Sequence, residues 1–277
     1  MALVTLTSRA TAKAALQLIW VALARFFAPQ FHTKFRPSVR PVVSVDHDLD
    51  KSIPFCPDLV DVYSRFISLW IKSTYFIYRE FGRSTLPGIA IFINGLSNLY
   101  MESGRIYKTC QSTTVRPKYL KNMKFILIHA FDPHLHCVPS LHVLIVVYNY
   151  IMMTKLIEQY SDDTSEYSEQ KHYMYSQAVA ITESILLVKQ HSVNCIPAAL
   201  FAMSRLHPEF SRNDAAAFIN QLFVDTDIEI ELESEIKDFM LTQYQDFMDS
   251  CETKQQDYSE VLLEFLMDCR EISAESD

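Results

Sequence analysis

Apolar residues gather into stretches near 13–28, 59–78, 86–101, 138–153, 174–189 and 193–206, with a shorter one at 123–131. Only 4 glycines and 11 prolines punctuate the 277 residues, so these stretches read as helices joined by short loops. None is an unbroken apolar run of 18 residues, because Arg25, Asp61, Arg65, Lys72, Asn94 and Glu183 interrupt them. Hydropathy alone therefore assigns no clean membrane span.

Beyond residue 207 the pattern changes. Ser211 and Asp214 are placed to cap a helix running through Ala215 to Phe223, and amphipathic stretches follow at 232–250 and 257–272. In the last of these Val261, Leu262, Phe265, Leu266 and Cys269 share one helical face. The expectation is all-α, with a helical domain over 1–206 and an acidic helical extension over 207–277 that packs on the bundle or on a second copy. The extension is where a homo-oligomer would form.

The net charge of -8 argues against a nucleic-acid partner. The charge is uneven: carboxylates concentrate at 157–170 and 225–277, whereas 104–124 carries Arg105, Lys108, Arg116, Lys118, Lys121 and Lys124. A face that attracts phosphate would have that second composition. The six cysteines are scattered without paired spacing and read as reduced thiols. Arg9 to Lys13 followed by apolar 14–24 has the start of a signal peptide, yet no small-residue cleavage site precedes Arg25, so an uncleaved first helix is expected.

Three motifs carry chemistry. Arg116-Pro117 comes first, Pro139-Ser140-Leu141-His142 second, and Ser184 through Lys189-Gln190-His191 to Cys195 third. A phosphoester needs cations and hydrogen-bond donors for its oxygens, a neutral nucleophile, and an acid for the leaving group. Imidazole serves as both of the last two, since its pKa of about 6.5 leaves both forms accessible near neutrality. His134 and His136 crowd with Asp132 and Cys137, but the short loop around Pro133 and Pro139 reads as a polar rim, and no CxxC or HExxH pattern indicates zinc.

The order and spacing of these motifs resemble the phosphate site of the phosphatidic acid phosphatase type 2 superfamily. Ile53-Pro54-Phe55-Cys56-Pro57 also resembles the IPFxP segment of its inositol-phosphotransferase and sphingolipid-synthase branch. The resemblance covers residues 50 to 203. It implies a six-helix bundle, with His191 as nucleophile and His142 as general acid. Arg116, Ser140, Lys108 and Lys189 would bind phosphate. No cofactor and no metal are implied.

The third motif departs from the pattern twice. Ile185 stands where relatives have arginine, and Cys195 stands where an aspartate orients the nucleophilic imidazole. A thiol is a weak acceptor, so reduced activity is expected. The implied substrate is a lipid phosphate or phospholipid headgroup, handled by hydrolysis or by transfer. The alternative is a degenerate relative that binds phosphorylated lipid or acts as a membrane scaffold. A multi-pass membrane protein is the expectation, with a soluble helical domain of the acid-phosphatase type left open.

Overall fold

The computed structural model describes residues 8–275, with side chains described as far as Glu271. The outer ends of the two expected domains, 1–7 and 276–277, lie outside the described residues. The chain is all-α, and among the described residues strand is confined to two three-residue segments. Its first helix, α1 (Arg9–Phe35), starts at Ser8, whose hydroxyl accepts the Ala10 N–H at 3.2 Å. A π-helical turn at Ala22–Phe27 widens it midway. Short α2 (Asp48–Ser52) and α3 (Val60–Tyr63) lead into α4 (Phe66–Phe81) and α5 (Leu86–Thr109). Gly104 of α5 admits the backbone of α1: a Cβ there would lie 3.0 Å from Arg25 Cβ and 3.3 Å from its carbonyl oxygen.

After α6 (Met123–Phe131) comes α7 (Leu141–Tyr160), the centre of the molecule. It packs on α4, α5, α8 (Ser168–Leu187) and α9 (Cys195–Leu206). Its sequence explains that position: Val143 through Val147 is an unbroken aliphatic run, so no face can be left to water. Burying each such side chain stabilises the fold by about 1.5–3 kcal/mol. Tyr148 lies over Gly95, where a Cβ would come within 1.8 Å of the phenol oxygen. Gly95→Val would therefore force the Tyr148 ring to move.

The acidic segment folds as α10 (Arg212–Gln221), α11 (Ile230–Lys254) and α12 (Tyr258–Glu275). Ser211 and Asp214 form a reciprocal capping box at the start of α10. α11 packs on α9, with Phe247 against Phe201 and the Tyr244 hydroxyl 2.9 Å from Ser204. On α12, Val261, Leu262 and Leu266 are buried, and Tyr258 donates to Glu102 of α5 at 3.0 Å.

Two strands fix the loops at one end of the bundle. β1 (Val42–Ser44) pairs in parallel with β2 (Gln111–Thr113), Val43 opposite Ser112, and Ser112 also bridges to His136. The Ser112 hydroxyl accepts the Val138 N–H at 2.8 Å, and buried Gln30 of α1 accepts the Leu135 N–H at 3.1 Å. These bonds hold the 132–140 loop in place.

Among the described residues two helices, α1 and α7, are long and apolar enough to cross a membrane by length and composition. Their settings differ. Two thirds of the apolar window of α7 is buried in the core (67%), against 17% for α1.

Candidate active site

His191 sits on a loop that departs from the end of α8. The N–H groups of Gln190 and His191 both reach back to the Ile185 carbonyl, at 2.9 and 3.1 Å, and Lys189 takes a left-handed conformation (φ 54°) to allow it. The loop is clamped from far away in sequence. Asp50 accepts the Val193 N–H at 2.8 Å through one oxygen and the His47 N–H at 2.8 Å through the other. The Lys189 ammonium donates to the carbonyls of Asp50 and Ile53, and the Cys56 N–H donates to the Leu187 carbonyl at 2.8 Å. Segment 47–57, including Ile53 to Pro57, is therefore a strap under the His191 loop. Burial pushes the Asp50 carboxyl up, against hydrogen bonds from Ser192 and the two backbone N–H groups.

His142 is held differently, in the first turn of α7. Its ring stacks on Tyr63 at 4.5 Å and leans on Phe66 at 4.3 Å. The two imidazoles come together edge to face, 5.6 Å between centroids. Ser140 occupies the N-cap of α7 without capping it, and its hydroxyl stands 3.5 Å from His191 Nε2. His142 Nε2 and His191 Nδ1 are buried without a hydrogen-bond partner. Such groups are costly to leave unmade. Burial lowers the pKa of His191, so it is neutral at neutral pH.

Arg116 reaches the same place. Its guanidinium donates to Gln190 Oε1 at 3.1 Å and to the Asp132 carbonyl at 3.0 Å. A cavity of about 20 Å³, lined among others by Asp132, His134, Cys137, His142 and His191, lies at the centre. That is room for about one water. It shares Phe26, Asp132, Leu141 and His142 as walls with an apolar groove of about 760 Å³ between α1, α4, α5 and α6.

Of the residues expected from sequence, His142, His191, Ser140 and Arg116 are brought together; Lys108, Lys189 and Cys195 are not. Lys108 is exposed at the end of α5, where its carbonyl accepts Arg40 Nε at 3.0 Å. Lys189 is committed to the strap. The Cys195 thiol is fully buried at the start of α9, where burial and the neighbouring Cys137 push its pKa up. Cys137, not Cys195, is the sulfur that faces the histidines, 3.8 Å from His134 Nε2 and with its charge acting on His191. Burial opposes ionisation of Cys137, but the Cys195 thiol, His134 and His191 together pull it well below the ordinary thiol range.

Neighbouring positions are also accounted for. Ile185 is core, the Ser184 hydroxyl bonds the Ile181 carbonyl at 2.7 Å, and Asn194 donates to the Val45 carbonyl at 3.1 Å. His134 and His136 both line the cavity: His136 packs flat on Tyr107 at 3.9 Å with Gln111 3.0 Å from Nε2, and His134 lies beside Thr114 at 2.8 Å. Sequence reasoning gave no role to Asp50, Tyr63 or Gln190, and set Cys137 in the polar rim without singling it out. Gln190, next to His191, and Cys137, beside the second motif, carried a local signal; Asp50 and Tyr63 join the site through contacts distant in sequence. Compared with family models, curated proteins and solved structures, the chain matches none.

Proposed function

We propose that this chain belongs to the phosphatidic acid phosphatase type 2 superfamily. On this reading it is a histidine-dependent, metal-independent phosphatase or phosphotransferase acting on a lipid phosphate or phospholipid headgroup. One observation carries the proposal: His142 and His191 meet across a small cavity that shares the His142 wall with an apolar groove, with Ser140 3.5 Å from His191 Nε2 and Arg116 bonded to Gln190 beside them. A polar phosphoryl end and an apolar chain call for that pairing of surfaces.

The chemistry runs in two balanced steps. The His191 lone pair attacks phosphorus, the bond from phosphorus to the ester oxygen breaks, and His142 gives its proton to the departing alkoxide. His142 then takes a proton from water or an acceptor alcohol as that oxygen attacks phosphorus, and the nitrogen–phosphorus bond breaks. Burial suits His191 to its part by keeping it neutral. Burial, with His191 and His134 close by, lowers the pKa of His142, so the phosphoryl charge is what holds its proton. The cavity is smaller than a phosphoryl group. Side chains of its wall must shift to admit one, and Arg116, whose planar fork fits phosphoryl oxygens in pairs, would exchange Gln190 for them.

The test is phosphate release or headgroup transfer from a panel of lipid phosphates and phospholipids with a chelator present. His191→Ala is expected to abolish turnover and the phosphoenzyme together, a loss of at least about 1,000-fold. Retained turnover in that variant refutes the assignment.

A second reading is favoured by the unpartnered Nδ1 of His191 and by Cys195 lying behind Cys137. With no carboxylate to fix its tautomer, the site would bind phosphorylated lipid without turning it over. Silence from folded wild type, together with saturable binding lost in Arg116→Ala, selects this reading. As to residence, a multi-pass chain would use α1 and α7 as spans.

A further inference from the structure

The mouth of the groove is bordered by apolar side chains that no part of the described chain covers. On α1, Leu16 is 69% exposed and Trp20 71%, with Ile19, Leu23 and Phe27 beside them. On α6, Phe131 is 66% exposed, with Met123 and Leu127; Leu120, just before it, is 70% exposed. Ile19, Phe27, Leu127 and Phe131 also line the groove, so α1 and α6 flank one opening.

Charge is divided in the same way. Residues 9–45, which include α1, hold six basic residues and no carboxylate, and residues 103–131, which include α6, again hold six and none. Seventeen of the 33 carboxylates lie from Asp225 onward. No residue of that acidic segment lines the groove. Lys118 and Lys121 are exposed on either side of Leu120, which alternates cation and apolar residue as a headgroup boundary requires. α7, the other helix among the described residues that is both long and apolar enough to span, is instead enclosed by its neighbours.

We propose that the α1–α6 face seats the protein in one leaflet of an anionic bilayer, with Trp20, Leu120, Leu127 and Phe131 in the acyl region and Lys118 and Lys121 at the headgroups. The groove then opens sideways into the leaflet and admits an acyl chain from it. The seat itself is independent of turnover; only the use of that acyl chain as substrate rests on the phosphoryl reading.

The test uses the full chain and vesicles of phosphatidylcholine with or without phosphatidylserine. Binding is expected to the anionic vesicles and to weaken with salt. Lys118→Gln with Lys121→Gln should weaken it about 30-fold, at roughly fivefold per cation. The chain's two tryptophans report separately, because Trp20 is on the outer face and Trp70 lines the groove. With acyl-brominated phosphatidylserine, Trp70→Phe should leave a Trp20 emission that is quenched, and Trp20→Phe should leave a quenched Trp70.

Absence of binding by folded protein overturns the proposal, as does bound protein whose Trp20 is not quenched. Protease-protected segments on both sides of the bilayer overturn it in favour of a multi-pass chain. A vesicle-independent dimer that shields Trp20 from iodide overturns it in favour of a second copy. Vesicle binding without turnover would leave the seat intact while removing the enzyme reading.

Discussion

The two histidines that meet at the cavity are held by opposite means. His142 rides on a helix and is positioned by packing, between the rings of Tyr63 and Phe66. His191 rides on a loop and is positioned by a few polar bonds from a strap about 140 residues earlier, through Asp50, Ile53 and Lys189. Packing spreads the work over many weak contacts, whereas a polar clamp concentrates it in a few bonds that fail together. His191 should therefore be sensitive to single polar changes at a distance, and His142 to the shape of its walls.

The clamp offers the larger effect. Asp50→Ala removes the acceptor of the Val193 and His47 N–H groups, the partner of Ser192, and the charge that supports the Lys189 ammonium. The expected cost is about 2 kcal/mol of stability, since the Val193 and His47 N–H groups lose their acceptor together while Lys189 keeps its two backbone carbonyls and loses only a nearby charge. Asp50→Asn keeps one acceptor oxygen and should lose about half as much. Thermal or denaturant unfolding measures both. Equal stability of Asp50→Ala and wild type would mean that the strap does not hold the loop.

The wall of His142 comes next. Tyr63→Leu keeps apolar bulk but removes the flat face, so the imidazole can tilt within its slot. On the proposed mechanism kcat falls about 10- to 100-fold with little change in KM, because misplacing a proton donor acts on the chemical step. Tyr63→Phe keeps the face and should stay near wild type. A Tyr63→Leu enzyme with unchanged kcat would show that Phe66 and the helix alone position His142.

Much of this arrangement was legible in the sequence, in proportion to how local its causes are. The apolar run from Val143 to Val147 announces a buried helix, and Ser211 with Asp214 announces the capped start of α10, because periodicity and capping act within a few residues. The meeting of Arg116, Ser140, His142 and His191 was readable only as a pattern of motifs. The strap was not readable: nothing near Asp50 marks it as the partner of Val193. The role of Cys195 was misplaced for the same kind of reason. Its position in the third motif set it beside His191, but the start of α9 turns its thiol toward Cys137, which comes from a different segment.

That sulfur pair yields the finest prediction. Burial depresses the pKa of His191, and the charge on Cys137 partly offsets the depression. Cys195 acts on His191 through Cys137, by donating a hydrogen bond that favours the Cys137 thiolate. The acid limb of kcat/KM, set by protonation of the nucleophile, should therefore lie below the ordinary imidazole pKa of about 6.5. Cys137→Ala should move it lower still, and Cys195→Ala should move it in the same direction by less. If Cys195 faced His191 directly, the order of the two variants would reverse. Stability carries the matching sign. With its folded pKa below its unfolded one, His191 contributes nothing unfavourable above about pH 6.5, and stability is lost as pH falls through that window because the unfolded chain takes up the proton first. Cys137→Ala also removes a thiol that is itself held well below the ordinary range and that loses stability as pH falls, so the drop in unfolding free energy from pH 7.5 to pH 5.5 should be shallower in that variant than in wild type.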